Sequence, residues 1–328
     1  MGKMKRFAII FLLLAFQFGC SAVPETQRTQ APSKTVLNSW ANTSAKQRIQ
    51  AFVAAVCDPA LADYVPRQDR LAVFDMDGTL LCEKPGYIEV VITKNRLREK
   101  AIADPALADK PLYKAALVND EAYIHAHVKE AILEAFASET LASIATYWRD
   151  YVTQNKHPTL NLEYARLVYK PMTDLIVYLR QAGFSVFVVS TSQQEFIRSF
   201  CPDILPVPKE NVLGSMVGFA LVNLDDDAPH SFVRRKKYFD PYNADEGKSV
   251  RLRERGLDHA LVAVGNSMGD YAMLDGVSDG GAPNLVLVID HDDSEREFEY
   301  HKPKLLAAAE RRGWLVVSMK NDFNMVFK

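Results

Sequence analysis

Five short apolar segments, continuous rather than alternating and all containing Val, constrain the fold of this 328-residue chain more than any other feature. Continuous apolar runs of this length are typical of strands buried on both faces of a parallel sheet. Helical patterns lie between them, so the order predicts an α/β fold with a doubly wound, Rossmann-like sheet. The predicted strands are 71–75, 184–190, 260–266, 285–290 and 314–319, and the predicted helices are 171–183, 247–256 and 270–276.

Two insertions interrupt this alternation. The longer one follows the first predicted strand, and its apolar residues, including Ile124, Ile132 and Trp148, recur at mostly helical spacing. Asn119 and Asp120 supply capping chemistry at the start of that run. The pattern predicts a helical cap domain over 85–168, inserted into a core domain formed by 46–84 and 169–328. The shorter insertion, 214–239, has the pattern of a β-hairpin.

The N-terminus has the order of an export signal. A basic segment, MGKMKR, precedes an apolar run that is too short to span a bilayer comfortably, and Gly19-Cys20 and a polar stretch follow. Gly19-Cys20 resembles a bacterial lipobox, although Gln17 stands where Leu is usual. We therefore expect a signal peptide over 1–20, a lipid on Cys20 and a tether over 21–45. The protein would lie on the periplasmic face of the outer membrane, or in the periplasm; a retained membrane anchor is the alternative.

Composition excludes some functions and leaves others open. The 39 Lys and Arg nearly balance the 41 Asp and Glu, which argues against a nucleic-acid partner. No protein partner can be inferred from the sequence. The cysteines beyond the signal, Cys57, Cys82 and Cys201, lack zinc spacing, and their odd number leaves at least one thiol free.

Polar side chains follow three of the predicted strands. Asp75 and Asp77 end the first, Ser190 ends the second, and the 265–270 loop follows the third. The carboxyl ends of parallel strands meet at one edge, where ligands of such sheets bind. Because burying unpaired carboxylates costs several kcal/mol, we expect a metal or a substrate beside this aspartate pair.

These residues resemble the four ordered motifs of the haloacid dehalogenase superfamily, whose members are mostly phosphatases. Asp75-Met76-Asp77-Gly78-Thr79 resembles motif I, Ser190 after an apolar strand resembles motif II, Lys248 in GKSVRL fits motif III, and Gly265 to Asp270 fits motif IV. The resemblance covers roughly 70–320. It extends to phosphoserine-phosphatase-like bacterial hydrolases through Tyr169 to Met172 and His291 to Tyr300.

The resemblance implies a role for each motif. Asp75 would attack phosphorus and form an aspartyl phosphate, while Asp77 would protonate the leaving oxygen and then activate water. Ser190 and the backbone of Thr191 would donate hydrogen bonds to the phosphoryl oxygens, and Lys248 would stabilise negative charge. The implied cofactor is Mg²⁺. Its ligands would be drawn from Asp75, the backbone carbonyl of Asp77, Asn266 and Asp270.

Motif IV departs from many relatives. Asn266 stands where they carry a metal-binding Asp, and one negative charge is therefore missing. Met268 departs from the Asp that the phosphoserine-phosphatase-like group has at this place. Asp270, four residues after Asn266, could bind the ion directly or through water, or could cap the following helix.

Weaker candidates lie around the motifs. Glu83 follows motif I and would either meet a cationic group of the substrate or be a solvated linker residue. The segment from His291 to Asp293 follows the fourth predicted strand and could act on substrate or support the site. Asp225 to Asp227 fit a solvated hairpin turn. His125 and His127 are two residues apart, which disfavours a shared metal.

The predicted function is a Mg²⁺-dependent phosphomonoesterase acting on a small phosphorylated metabolite, phosphoserine-like or phosphocholine-like. One alternative is a broad-specificity acid phosphatase or nucleotidase that scavenges phosphate. The alternative from another class is a non-catalytic binding lipoprotein, which the departures at Asn266 and Met268 would favour.

Overall fold

A computed structural model describes residues 37–222, 231–281 and 283–328. Its strands are β1 (Leu71–Phe74), β2 (Ser185–Gln193), β3 (Val212–Ser215), β4 (Val217–Val222), β5 (Ser231–Tyr238), β6 (Val262–Gly265), β7 (Leu285–Asp290) and β8 (Leu315–Ser318). Its α-helices are α1 (Ser44–Cys57), α2 (Ile88–Ala103), α3 (Pro111–Val118), α4 (Glu121–Ala126), α5 (Val128–Ala135), α6 (Leu141–Gln154), α7 (Lys170–Gln181), α8 (Gln194–Arg198), α9 (Glu246–Glu254), α10 (Tyr271–Ser278), α11 (Pro303–Arg312) and α12 (Met319–Asp322).

Six strands form one parallel sheet in the order β3-β2-β1-β6-β7-β8. Alternate residues of each strand face opposite sides, and each side is covered by helices. Ala72 and Phe74 of β1 belong to a core that includes α1 and α7, whereas Leu71 and Val73 belong to a core that includes α10 and α11. Burial on both faces explains the continuous apolar pattern and confirms the doubly wound α/β prediction.

The chain changes the side on which it adds strands between β1 and β6. From β1 the chain builds outward through β2 and β3, and from β6 it builds outward through β7 and β8 on the other side. The two central strands pair directly, and the Asp75 amide beyond β1 donates to the carbonyl of Val264 in β6 at 2.9 Å. A crevice opens at such a reversal, and it lies where β1 ends in the aspartate pair.

The long insertion after β1 is helical, with α2 to α6 in place of one continuous run. Asn119 ends α3 in a left-handed conformation, with φ of 55°, and the Asp120 side chain caps α4 by accepting from the Tyr123 amide at 2.9 Å. The run breaks again at His127 and before Leu141. The apolar residues of these helices are continuous with the core that contains Phe74. The boundary of a separate cap domain stays a prediction.

The predicted hairpin is present as β4 and β5, and it joins the inserted helices. Val233 of β5 pairs with Thr140, and the Arg234 amide donates to the carbonyl of Glu139 at 3.0 Å. The Arg234 guanidinium, which is buried, donates through Nη2 to the carbonyl of Ile132 at 2.8 Å. The inserted helices α2 to α6 and the hairpin β4–β5 therefore pack together as one unit, which we call the roof. Asp225 to Asp227 lie outside the described residues.

One strand end was wrong by three residues, and one strand was not recognised. β2 continues to Gln193 rather than ending at Ser190, and Val212–Ser215, partly assigned to the hairpin, forms the edge strand β3. Gly214 permits this close approach, since a Cβ there would lie 2.5 Å from the Gln194 backbone nitrogen. A four-residue edge strand has too little pattern to be recognised in the sequence.

The tether prediction was wrong at its C-terminal end. Leu37, Trp40 and Ala45 are buried, and the Trp40 indole nitrogen donates to the carbonyl of Pro171 at 2.7 Å. Trp40 also packs edge-on against Phe323, with ring centroids 5.1 Å apart. The signal, the lipid site and the rest of the tether, up to residue 36, lie outside the described residues. Within the part that is described, no helix has the length and apolarity needed to cross a membrane.

Trp40 should therefore contribute strongly to stability. Trp40→Ala would leave a large cavity and remove the hydrogen bond to the Pro171 carbonyl, and we expect it to lower the free energy of unfolding by about 3–5 kcal/mol. Urea denaturation followed by circular dichroism measures this change. Leu61→Ala, at a side chain that is 48% exposed, is the control and should have little effect. A Trp40→Ala variant as stable as this control would contradict the packing of residues 37–45.

Candidate active site

A buried lysine joins two carboxylates at the reversal point of the sheet. Lys248 enters from the first turn of α9 and is 2% exposed. Its Nζ donates to Oδ1 of Asp75 and to Oδ1 of Asp270, both at 2.6 Å. Asp75 follows β1 and Asp270 follows β6, so one cation links three segments of the chain. Such an arrangement is stable only when each buried charge is paired and hydrogen-bonded, as here.

The charges of this centre do not cancel. Burial lowers the pKa of Lys248, but Asp270 and Asp75 outweigh that effect and raise the pKa above its ordinary value. Burial, followed by the Asp270 carboxylate, raises the pKa of Asp75 to about 7 against the influence of Lys248. Burial, followed by Asp75, likewise raises the pKa of Asp77 well above its ordinary range. The protein alone therefore leaves an excess of negative charge here.

Asp270 organises the loop after β6. Its Oδ2 accepts from the amides of Asn266 and Ser267, at 3.0 and 2.9 Å, and from the Ser267 hydroxyl at 3.1 Å. Oδ1 is taken by Lys248. Because both oxygens are engaged, Asp270 holds Lys248 and the loop in place. Its side chain makes no cap hydrogen bond to α10, so the alternative that it caps the following helix was wrong; its bonds close the turn before that helix. Metal binding by Asp270 stays a prediction.

Asp77 meets the end of β2. Its Oδ2 accepts from the Ser192 hydroxyl at 2.9 Å, while the Ser190 hydroxyl lies farther away at 3.5 Å. Ser190 is fully buried and accepts from the Ser192 amide, whereas Thr191 is exposed at the site. Ser192 was missed in the sequence. Strand periodicity of two could have indicated it, because Ser192 shares a strand face with Ser190.

The turn after β1 is held from several sides. Gly78 has φ of 77°, and a Cβ there would lie 1.9 Å from Nδ2 of Asn266, so this position requires glycine. The Thr79 hydroxyl donates to Oδ2 of Asp75 at 3.1 Å. His291, just beyond β7, donates from Nε2 to the Gly78 carbonyl at 2.8 Å. His291 therefore supports the turn, which is one of the two roles the sequence left open for it.

Glu83 contacts the side-chain amide of Asn266. Glu83 is buried, so the alternative of a solvated linker residue was wrong. Its Oε1 accepts from Nδ2 of Asn266 at 3.3 Å and lies 3.7 Å from Nζ of Lys302. An aspartate at 266 would place a carboxylate against that of Glu83. The two positions are 183 residues apart, and no local pattern connects them.

The donor set fits a magnesium ion held by oxygen ligands from the ends of β1 and β6. Within the described residues no three His, Cys, Asp or Glu side chains converge as a complete metal cage. Mg²⁺ does not need one, because it commonly takes one or two carboxylates and completes its shell with water and phosphate. The Asp75 carboxylate, the backbone carbonyl of Asp77 and the amide oxygen of Asn266 suit this ion. Oδ1 of the Asp77 side chain is buried and makes no hydrogen bond in the described part of the chain, so it is left for proton transfer.

A cavity of about 350 Å³ opens above the centre, between the sheet edge and the roof. Asp75, Asp77, Lys248, Thr191 and Ser192 line its floor, and Glu83 lines it as well. The inserted helices and the segment around α9 contribute residues that the sequence did not single out for the site. These are Tyr87, Glu89, Val90, Val128, Ile132, Tyr242, Ala244 and Asp245.

His125 and His127 lie in different surroundings, as their spacing predicted. His125 lines the cavity, whereas Nδ1 of His127 lies 2.9 Å from the Tyr123 carbonyl and its ring stacks on Tyr123. Met268 is 43% exposed at the start of the turn after β6 and makes no part of the cavity wall among the described residues.

An aspartate pair at the end of the first strand, a buried lysine and an aspartate-capped loop on the neighbouring strand together define a Rossmann-like hydrolase. The chain belongs to the haloacid dehalogenase-like hydrolase family, whose profile matches residues 72–275. This confirms the resemblance at the level of the family. No curated protein sequence is significantly similar to this chain.

Solved structures share the fold at low identity. A functionally unknown protein from Anaerococcus prevotii is 16% identical, covering 87% of this chain and 94% of its own, with a TM-score of 0.55. A protein of unknown function from Bordetella pertussis is 18% identical, covering 76% and 97%, with a TM-score of 0.50. A phosphoserine phosphohydrolase-like protein from Francisella tularensis is 17% identical, covering 73% of this chain and 98% of its own, with a lower TM-score of 0.40.

The contact between Asn266 and Glu83 leads to a stability prediction. Asn266→Asp would bring two carboxylates together, a repulsion of up to roughly 4 kcal/mol while both stay charged. We expect a lower free energy of unfolding at neutral pH, measured by urea denaturation in chelator so that no metal offsets the charge. Asn266→Asp combined with Glu83→Gln should recover most of the loss. An undisturbed single variant would contradict this contact.

Proposed function

We propose that this hydrolase cleaves small phosphomonoesters through an aspartyl-phosphate intermediate on Asp75. The observation that carries the proposal is the pairing of Asp75, held by Lys248 at 2.6 Å, with Asp77, whose pKa is raised by burial and by Asp75. One carboxylate is oriented and the other tends to keep its proton. That division suits a nucleophile beside a general acid.

In the first step a carboxylate oxygen of Asp75 forms a bond to phosphorus, and the bond from phosphorus to the ester oxygen breaks. Asp77 gives its proton to that departing oxygen, so the alcohol leaves neutral. Ser192 fixes the Asp77 carboxyl through Oδ2, which leaves Oδ1 free to deliver the proton.

In the second step water attacks the phosphorus of the aspartyl phosphate. The carboxylate of Asp77 takes a proton from this water, and the bond from phosphorus to Asp75 breaks, which releases phosphate and restores both aspartates. Lys248 stabilises the negative charge on Asp75 and on the phosphoryl oxygens throughout. Thr191 and Ser192 line the cavity and are better placed than the buried Ser190 hydroxyl to donate to the phosphoryl group.

Asp75, the backbone carbonyl of Asp77 and the amide oxygen of Asn266 would hold Mg²⁺, whose charge would reduce the repulsion between the anionic nucleophile and the anionic phosphate. The excess negative charge of the centre supports this assignment, since a divalent cation would allow Asp75 to stay ionised. Asp270 would act through Lys248 and the loop.

The first test is hydrolysis of p-nitrophenyl phosphate by the purified protein, with Mg²⁺ and with chelator. We expect turnover that depends on Mg²⁺ and that falls by at least about a thousandfold in Asp75→Asn, which removes the nucleophile. Asp203→Asn, at an exposed carboxylate away from the cavity, is the matched control and should keep full activity.

The same assay decides between the alternatives. A flat profile across many phosphate esters would favour a phosphate-scavenging enzyme. No turnover by folded protein would instead favour a binding lipoprotein and would overturn the proposal.

We also propose that the protein is exported and carries a lipid on Cys20. The support is the order of basic, apolar and small residues before Cys20. Growth with labelled palmitate should label the wild-type protein in the membrane fraction, and Cys20→Ala should abolish the label. Equal labelling of both would contradict the lipid site.

A further inference from the structure

We propose that the preferred ester carries a positively charged amino alcohol as its leaving group, and that Glu89 is the specificity-determining residue that binds this charge. This inference rests on the function proposed above. It narrows the substrate class to esters with a cationic head and no carboxylate.

The charges lining the cavity are strongly unequal. Among the described residues that line it, five carry carboxylates, and Lys248 is the single Lys or Arg. Lys248 is already held between Asp75 and Asp270. A second anionic group on the substrate would therefore meet no free Lys or Arg of the lining, and His125 is the single other basic side chain there among the described residues. A positive group would meet an excess of carboxylates.

Glu89 is the carboxylate best placed to bind such a group. It lies in the first turn of α2, on the roof, and is 5% exposed. Its oxygens accept from the side chain of Gln193 at 2.6 Å and from the Gln193 amide at 3.2 and 3.3 Å. Among the described residues it forms no ion pair with a Lys, Arg or His. A buried carboxylate held by neutral donors beside a cavity has room for a cation in contact with it.

The charge of Arg234 in β5 acts on Glu89 but forms no ion pair with it. Its Nη2 donates to the Ile132 carbonyl, and its Nε and Nη1 have no hydrogen-bond partner among the described residues. Burial dominates, and the pKa of Glu89 is raised to about 7. A bound cation would remove this cost, so cation binding and ionisation of Glu89 favour one another.

The other two carboxylates outside the floor are less suited to this role. Glu83 already accepts from Asn266 and lies 3.7 Å from Nζ of Lys302. Asp245 is exposed, so water screens its charge. Of the three lining carboxylates outside the floor, Glu89 is thus the one that is both buried and without an ion-pair partner in the described structure.

The surroundings of Glu89 suit a short alkyl ammonium group. Val90, Val128 and Ile132 line the roof and can contact methylene or methyl groups. Tyr87, 41% exposed, offers an aromatic ring near the opening. The ring of Tyr242 already carries Nζ of Lys129 at 3.8 Å from its centroid, so the ring of Tyr87 is the freer of the two.

A panel of four esters on the full-length protein tests the inference. The panel contains phosphoethanolamine and phosphocholine, which carry a cation, glycerol 3-phosphate, which has a neutral head, and 3-phosphoglycerate, which has an anionic one. We expect kcat/KM to be highest for the two cationic esters, lower for the neutral one and lowest for the anionic one. The fall from the cationic to the neutral ester should be about tenfold or more. The ranking of the first two reports whether a primary or a quaternary ammonium group fits better.

Glu89→Gln keeps the shape of the side chain and removes its charge. We expect it to reduce kcat/KM for the cationic esters by about 10- to 100-fold and to change that for glycerol 3-phosphate by less than about threefold. Glu130→Gln makes the same change at an exposed position of α5 outside the cavity and should leave the ranking unaltered. Glu89→Asp keeps the charge and should retain the cationic preference. It therefore distinguishes an effect of the lost charge from an effect of disturbed folding.

The outcomes separate this inference from the proposed function. Turnover of p-nitrophenyl phosphate without a preference for cationic esters, or an equal loss on all esters in Glu89→Gln, overturns the inference alone. The wild-type ranking gives this answer even if Glu89→Gln fails to fold. No turnover of any ester, p-nitrophenyl phosphate included, overturns both.

Discussion

The contact of Lys248 with Asp75 and Asp270 is the interaction on which the site depends. Desolvating three charges costs several kcal/mol per ion, and only short, well-placed hydrogen bonds offset that cost. The contact can form only when the ends of β1 and β6 and the first turn of α9 arrive together. The sheet reversal brings the two strand ends together, and Asp270 fastens the loop that follows β6. The fold therefore assembles the site, and the site in turn restricts how these segments can pack.

Two separate insertions share the work of enclosing the centre. The helices after β1 supply Glu89 and the apolar wall, and the hairpin locks onto them through Val233 and Arg234. The residues at the sheet edge form the floor of the cavity and include the proposed catalytic groups. The residues of the roof would contact the part of the substrate beyond its phosphate. Chemistry and selectivity are thus placed on different segments, and the roof can vary without disturbing Lys248 and its two carboxylates.

The features that were predictable from sequence are those with a local cause. Continuous apolar runs predicted five of the six sheet strands, and the acid pair Asp75 and Asp77 marked the site because buried charge is costly. Boundaries were less accurate: β2 ran on to Gln193, and β3 was absorbed into the hairpin. Residues 37–45 were assigned to a polar tether because the burial of Trp40 against Phe323 depends on a segment nearly three hundred residues away.

What the sequence by itself determined is the fold class, the family and the motif residues, because each depends on a short pattern whose spacing carries its meaning. What only the tertiary structure decided is how those residues are used. Asp270 became a support because Lys248 and the loop occupy both its oxygens. The Asn266 side-chain amide donates a hydrogen bond to Glu83, and Glu89 lines the cavity from the roof. These contacts join residues far apart in the chain, where charge and burial are properties of the packed protein and leave no local signal.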